Sequence, residues 1–217
     1  MTTKDFPANL VPSSIQFGLQ SNTQVFKSPL SSSTQTLRMP SASWYGKASF
    51  TDLIESDWRT LASFITSLEG MHGRFYFGDF GGVEPRGAMS ASSNTLRING
   101  ASQTGATIAV DGFPASTSNV FRAGDYIAYD TTAGRELKMI TADATSNSSG
   151  EASLSIAPNI RTSPADNAVV SYRTTSANGL SNTDLTCIVR LEEDQSAWNV
   201  APPLIGTISF TFIEAFA

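Results

Sequence analysis

Hydrophobic and polar residues alternate along most of this chain, and the alternation reads as strands. Ile15, Phe17 and Leu19 fall on one face of the run Ser14 to Gln20, the pattern of a half-buried strand. Thr23 to Phe26 is a second short run, stopped by Ser28 and Pro29. Ser31, Ser32 and Ser33 mark a hairpin tip or loop, Thr34 to Met39 follows, and Pro40 is expected to end it. Trp44 to Phe50 is a further strand.

The period then changes. Trp58, Leu61, Ile65 and Leu68 recur at helical spacing, with Ala62 on the same face. Glu55, Ser56 and Asp57 stand where a helix N-terminus accepts carboxylates and a hydroxyl. Gly70 suits the position after the helix. One helix over about residues 55–69 is expected, its apolar stripe docked on a sheet. Arg74 to Phe77 reads as a buried strand, and Gly78 to Gly82 as a glycine-rich turn.

From about residue 89 the texture is different. Met89 to Asn94 is small and polar, the composition of a linker. Six short β-like runs follow: Leu96 to Ile98, Thr107 to Val110, Tyr126 to Tyr129, Leu137 to Ile140, Ala152 to Ile156 and Ala168 to Tyr172. Turn signals such as Asn99-Gly100, Asp111-Gly112 and Ser149-Gly150 separate them, and no helical period intervenes. This spacing predicts a small barrel or sandwich. After Ser176 to Asn182 longer strands return, at Leu185 to Leu191 and at Gly206 to Phe216, where Ile208, Phe210 and Phe212 share a face. So aromatic a final strand needs a sheet to join, and the strands bearing Phe17 and Phe50 match its character. The reading is a mainly β protein with one α-helix. A split, sandwich-like domain holds the helix and covers 1–88 and 177–217, and a small β-barrel or sandwich domain, 89–176, is inserted in it.

Composition narrows the function. Charged residues are 15% of the chain, against about 25% in an ordinary globular protein. Ser and Thr take their place at about a quarter of all residues. The net charge is −5 and the cations are scattered singly, which argues against specific nucleic-acid binding. No apolar run approaches a membrane span, and the first residues carry no signal-like apolar stretch. The expectation is synthesis in the cytoplasm and solubility until assembly. Cys187, the single cysteine, has no partner for an internal disulfide and reads as a small buried hydrophobe in a strand.

Catalytic groupings are sparse. His72 is the only histidine, which rules out a His-based metal cluster and makes it the sole candidate for a Ser–His–Asp triad. No Gly-x-Ser-x-Gly elbow, Walker loop or dinucleotide fingerprint occurs. Glu192, Glu193 and Asp194 form the densest acidic run. Such a run is able to ligate a hard cation or, with another acid, hydrolyse a glycoside, but a solvated loop between strands is the commoner meaning. Phe113, Phe121, Tyr126 and Tyr129 lie in the insert, where exposed rings would stack on sugars and buried ones would fill a barrel; the barrel core is the favoured reading. No catalytic, cofactor-binding or metal-binding residue is therefore assigned, no cofactor is expected, and the chain reads as a non-enzyme.

Several stretches in order resemble phage distal tail proteins, the hub subunits at the tip of a long non-contractile tail. They are Phe26 to Thr36, Trp44, the helix end Phe64 to Gly70 with Arg74 to Tyr76, Asn99 to Gly105, Val110 to Gly112, Phe121 to Asp125, Ile156 to Pro158 and Ile208 to Phe216. The resemblance implies a β-rich belt domain with one helix that closes into a ring, expected to be a hexamer, and a peripheral β domain outside it. It implies a virion protein at the tail tip or baseplate. Its partners would be its own copies, the tail tube protein and the tip or hub proteins, and the resemblance carries no catalytic residues. The alternative is a carbohydrate-binding protein that contacts host surface glycans through the insert.

Overall fold

The N-terminal alternation builds one long hairpin rather than four separate strands. The computed structural model describes residues 3–82, 84–176 and 178–216. Met1, Thr2, Val83, Ala177 and Ala217 lie outside these, and with them Ala177, where the return to the first domain is expected. In chain order the elements begin with β1 (Ser14–Lys27), β2 (Thr34–Leu53), α1 (Glu55–Thr66) and β3 (Phe75–Phe77). Next come β4 (Leu96–Ile98), β5 (Gly105–Asp111), β6 (Tyr126–Thr131), β7 (Gly134–Ile140), β8 (Ala152–Ile160) and β9 (Val169–Ser171). The chain closes with β10 (Cys187–Leu191), β11 (Trp198–Ala201) and β12 (Ile205–Glu214).

Pro40 does not end its strand. The β1–β2 register shifts between Gln20 and Asn22: Ser21 alone stands against Pro40, Ser41 and Ala42, so β2 carries two extra residues and Pro40 lies within this bulge. A ladder interrupted there needs no N–H from Pro40, and β12 pairs with β2 only between Tyr45 and Leu53. The helix stops at Thr66, shorter than its apolar stripe predicts, because Glu69 turns left-handed at φ 55° and a short 3-10 turn, Gly70–His72, follows. No side chain caps its start; Glu55 and Asp57 serve the first turn through their charge alone.

The first sheet runs β1-β2-β12-β10-β3, with β11 on part of the free edge of β12. Its strands come from both ends of the sequence, and β12 lies at the centre. Ile208, Phe210 and Phe212 of β12 face inward with Trp44, Phe50, Phe75 and Phe77, and Phe6 closes over them. Phe77 and Phe212 meet edge to face at 4.8 Å between ring centroids. Each such ring contributes about 1.5–3 kcal/mol through burial, and ring pairs add to that. Trp58, Leu61, Ala62 and Ile65 of α1 dock on this face. Gly206 lets Trp58 approach, since a Cβ there would lie 2.5 Å from the Trp58 Cβ.

The six middle strands form a closed barrel in the order β4-β5-β8-β7-β6-β9. Of the two architectures expected for this segment, the barrel is the one formed. Leu96, Ile108, Val110, Phe121, Ile127, Tyr129, Ile140 and Leu154 fill it. The ribbon β6–β7 is covered on both faces. Ile127, Tyr129 and Ile140 point into the barrel, whereas Tyr126, Ala128 and Leu137 pack into the core of the first sheet. Helix and ribbon thus cover one face of the same sheet.

Candidate interaction site

The β1–β2 hairpin outruns the sheet that holds it. β12 stops pairing at Tyr45, and beyond Gln20 and Ser43 the two strands pair only with each other. Seven residues of β1 extend there, from Ser21 to Lys27, an arm of about 20 Å at 3.3 Å per residue. Nearly all of it is exposed on both faces. Phe26 and Leu37 occupy one face, 57% and 52% exposed, with Val25 on the other at 62%. At the tip the Ser28 N–H bonds the Ser33 carbonyl and the Ser32 N–H bonds the Ser28 carbonyl. This turn holds Leu30 outward, 98% exposed. Apolar groups held on a two-stranded ribbon in water gain nothing from their position. Beyond its base at Ala42, Arg38 ties the arm to the rest of the chain, donating to Asn159 Oδ1 at 3.0 Å.

Polar contacts fix the barrel to the sheet. Arg161, just past β8, pairs with both carboxylate oxygens of Glu214 at 3.1 and 3.2 Å and also donates to the Ala42 carbonyl. Glu214 accepts the Trp44 N–H at 2.9 Å, and the Trp44 indole donates to the Leu137 carbonyl at 2.8 Å. Inside the barrel end, fully buried Lys138 reaches Glu136 at 2.6 Å and the Asn159 carbonyl at 3.0 Å. Burial pulls the Lys138 ammonium below its usual range, against the pull of Glu136. Burial raises the Tyr129 hydroxyl above its ordinary range, and the Glu136 charge adds to it.

The return to the sheet is organised by one carboxylate. Asp184 Oδ1 accepts the Thr175 N–H at 2.6 Å, the Ser176 N–H at 3.1 Å and the Thr175 hydroxyl at 3.1 Å. Its Oδ2 accepts the Ser181 N–H and hydroxyl, each at 2.8 Å, and the Ser176 hydroxyl. Burial favours the protonated acid, but these bonds from Ser176, Thr175 and Ser181 outweigh it and hold the carboxyl well below the usual carboxylate range.

The residues singled out for chemistry do not converge. His72 is exposed, and none of the described side-chain hydrogen bonds uses its ring. Cys187 is buried, and burial pushes its thiol well above the ordinary range, the environment of a structural rather than a nucleophilic cysteine. Glu192, Glu193 and Asp194 lie exposed in the loop between β10 and β11, where Asp194 accepts the Met71 N–H at 3.0 Å. A barrel groove of about 360 Å³ contains Glu151, already bonded by Asn99 and Asn147. Among the described residues no three His, Cys, Asp or Glu side chains gather as a metal site, and no helix is long and apolar enough to cross a membrane.

Phe113, Phe121, Tyr126 and Tyr129 are all buried, as is the insert's fifth aromatic residue, Tyr172. Phe113, Phe121 and Tyr129 fill the barrel, as the core reading expects. Tyr126 instead faces the first sheet, its hydroxyl donating to Asp79 Oδ2 at 3.1 Å. The run Tyr126 to Tyr129 signals this: four consecutive buried positions mean a strand covered on both sides.

Beside β11 the first sheet opens into a cleft of about 200 Å³. β10 pairs with β12 as far as Phe212 and β11 pairs with it as far as Ile208, leaving Ser209 to Thr211 between them. The loop that carries the three acids borders this gap: the Glu192 N–H bonds the Thr211 carbonyl at 3.2 Å, and Glu193, Gln195, Ser196 and Ala197 line the cleft. No protein-family model matches the chain, and no curated protein matches it.

Proposed function

We propose that the protein is a non-enzymatic structural subunit of a phage tail tip, forming a ring, expected to be a hexamer, that joins the tail tube to the tip complex. The observation that carries this reading is the projecting β1–β2 arm. It leaves Val25, Phe26, Leu30 and Leu37 half or more exposed on a two-stranded ribbon. An arm of this kind is stabilised by another molecule, and identical copies supply one each. Among the described residues the outer edge of β1 is also unpaired, an edge that neighbours in a ring would cover. The ordered resemblance to distal tail proteins names the assembly, and the fixed barrel suits a part that must hold its position outside a ring.

The competing reading, glycan binding by the insert, rested on exposed aromatic residues. Phe113, Phe121, Tyr126 and Tyr129 are buried and have no free face for a sugar.

Light scattering of the purified chain and electron microscopy of particles test the proposal. Rings in solution and a ring at the tail tip are expected. A strictly monomeric protein absent from the particle would refute it.

A further inference from the structure

We infer that the cleft beside β11 is the seat for the hairpin tip of a second copy, with Leu30 in its apolar floor and Lys27 against its acidic rim. This rests on the ring reading and specifies its contact.

Ile65, Leu191, Ile208 and Phe210, all largely buried, lie at its floor; half-exposed Trp198 forms a wall, and Gln195, Ser196, Ser209 and Thr211 make the rest of the lining polar. Its volume of about 200 Å³ accommodates a branched aliphatic side chain. The rim carries Glu193, in line with Glu192 and Asp194, while Lys47 stands at the opposite lip. Asp194 is committed to the Met71 N–H, whereas Glu192 and Glu193 have no ion pair among the described residues.

The arm is the complement of this cleft. From Gln20 to Ser41 it has two cations, Lys27 and Arg38, and no acid. Arg38 is engaged with Asn159, which leaves Lys27 as the cation next to the tip. The apex presents Leu30 as the most exposed large hydrophobic side chain among those described. A leucine flanked by a cation thus meets a cleft with buried apolar side chains at its floor and Glu193 on its rim beside the exposed Glu192, and the acidic run gains a role that no catalytic reading gives it.

The occupant is another copy because the chain's own tip points elsewhere. The arm leaves the β1–β2 side of the sheet past the C-terminal end of β12, while the cleft opens on the opposite edge of β12. Tip and cleft are different surfaces, so the contact is head-to-tail and is able to close a ring.

Co-expressing full-length Leu30→Cys and Ser196→Cys chains with different tags tests the contact, because Ser196 lines the cleft. Cys187 is buried and does not compete. A disulfide joining the two tagged chains is expected, and none is expected when Ser148→Cys, on an exposed barrel loop, replaces Ser196→Cys. In parallel, Lys27→Glu should shift the assembly toward monomers, and adding Glu193→Lys should restore it. Both positions are exposed, so neither change threatens folding. Rings that form without the Leu30–Ser196 cross-link and ignore Lys27→Glu would overturn the seat while leaving the ring reading intact. A chain that is monomeric throughout would overturn both.

Discussion

Replacing Asp184 by Asn keeps the shape of the side chain and removes its charge. The carboxylate accepts six hydrogen bonds, three from backbone N–H groups of Thr175, Ser176 and Ser181 and three from hydroxyls. The hydroxyls rotate to suit an amide; the N–H groups do not. With the amide oxygen at the Oδ1 position, the NH2 meets the Ser181 N–H head-on, and that donor loses its buried partner. The other two backbone bonds survive but lose their charge assistance. One orphaned buried donor costs about 1–3 kcal/mol, and weakening the remaining charged bonds brings the total to about 3 kcal/mol. For a chain of this length that is a fall in Tm of about 6–12 °C. The pH dependence follows from the depressed acidity of Asp184. A carboxyl whose folded pKa lies below its unfolded value of about 3.9 stabilises the fold fully above that pH and loses the contribution as pH falls toward the folded value. Urea denaturation of wild type and Asp184→Asn should therefore differ by about 3 kcal/mol at pH 7 and converge below about pH 4. A difference under about 1 kcal/mol at neutral pH, or one that widens in acid, would refute this account of the carboxylate.

Three further outcomes follow from the packing. Replacing 22–41 by an Asn-Gly turn should leave Tm within about 1–2 °C, because the arm's side chains are exposed, while abolishing assembly by light scattering. Phe212→Ala should cost about 3–5 kcal/mol in urea unfolding, since the ring is buried against Phe77 and Phe17, whereas Phe26→Ala should cost under about 0.5 kcal/mol in the unassembled chain. Lys138→Met should cost about 3 kcal/mol by the same measurement, because it leaves Glu136 buried without its cation.

The sequence shows its barrel more plainly than its seam. All six barrel strands announce themselves through short apolar runs between glycine turns, and α1 through its stripe from Trp58 to Ile65. β11 gives no such sign: Trp198 to Ala201 has no buried side, so nothing in its pattern distinguishes it from loop. Lys138 misleads in the other direction. A lysine flanked by Leu137 and Met139 reads as the wet face of a strand, yet both faces of β7 are covered and the ammonium is buried. Which long-range group neutralises a charge is set by tertiary packing and leaves no local trace. The same holds for Asp184, which looks like an ordinary turn acid until its six donors are in place. The cleft is equally silent, because it is a gap where two strands fail to meet along β12 rather than a motif.

The two-faced ribbon β6–β7 bears on how the polypeptide reaches its native state. Tyr126, Ala128 and Leu137 complete the packing of a sheet whose other strands lie far away on either side of the barrel in the sequence. Pairing of β2 with β12 has to wait until everything between them has been synthesised, and such distant closures fold slowly. During translation the first hairpin and α1 leave the ribosome with their oily side uncovered. The barrel, whose pairings are all closer in sequence, is the part able to condense first. Its outer ribbon then offers the waiting phenylalanines a surface before β12 arrives.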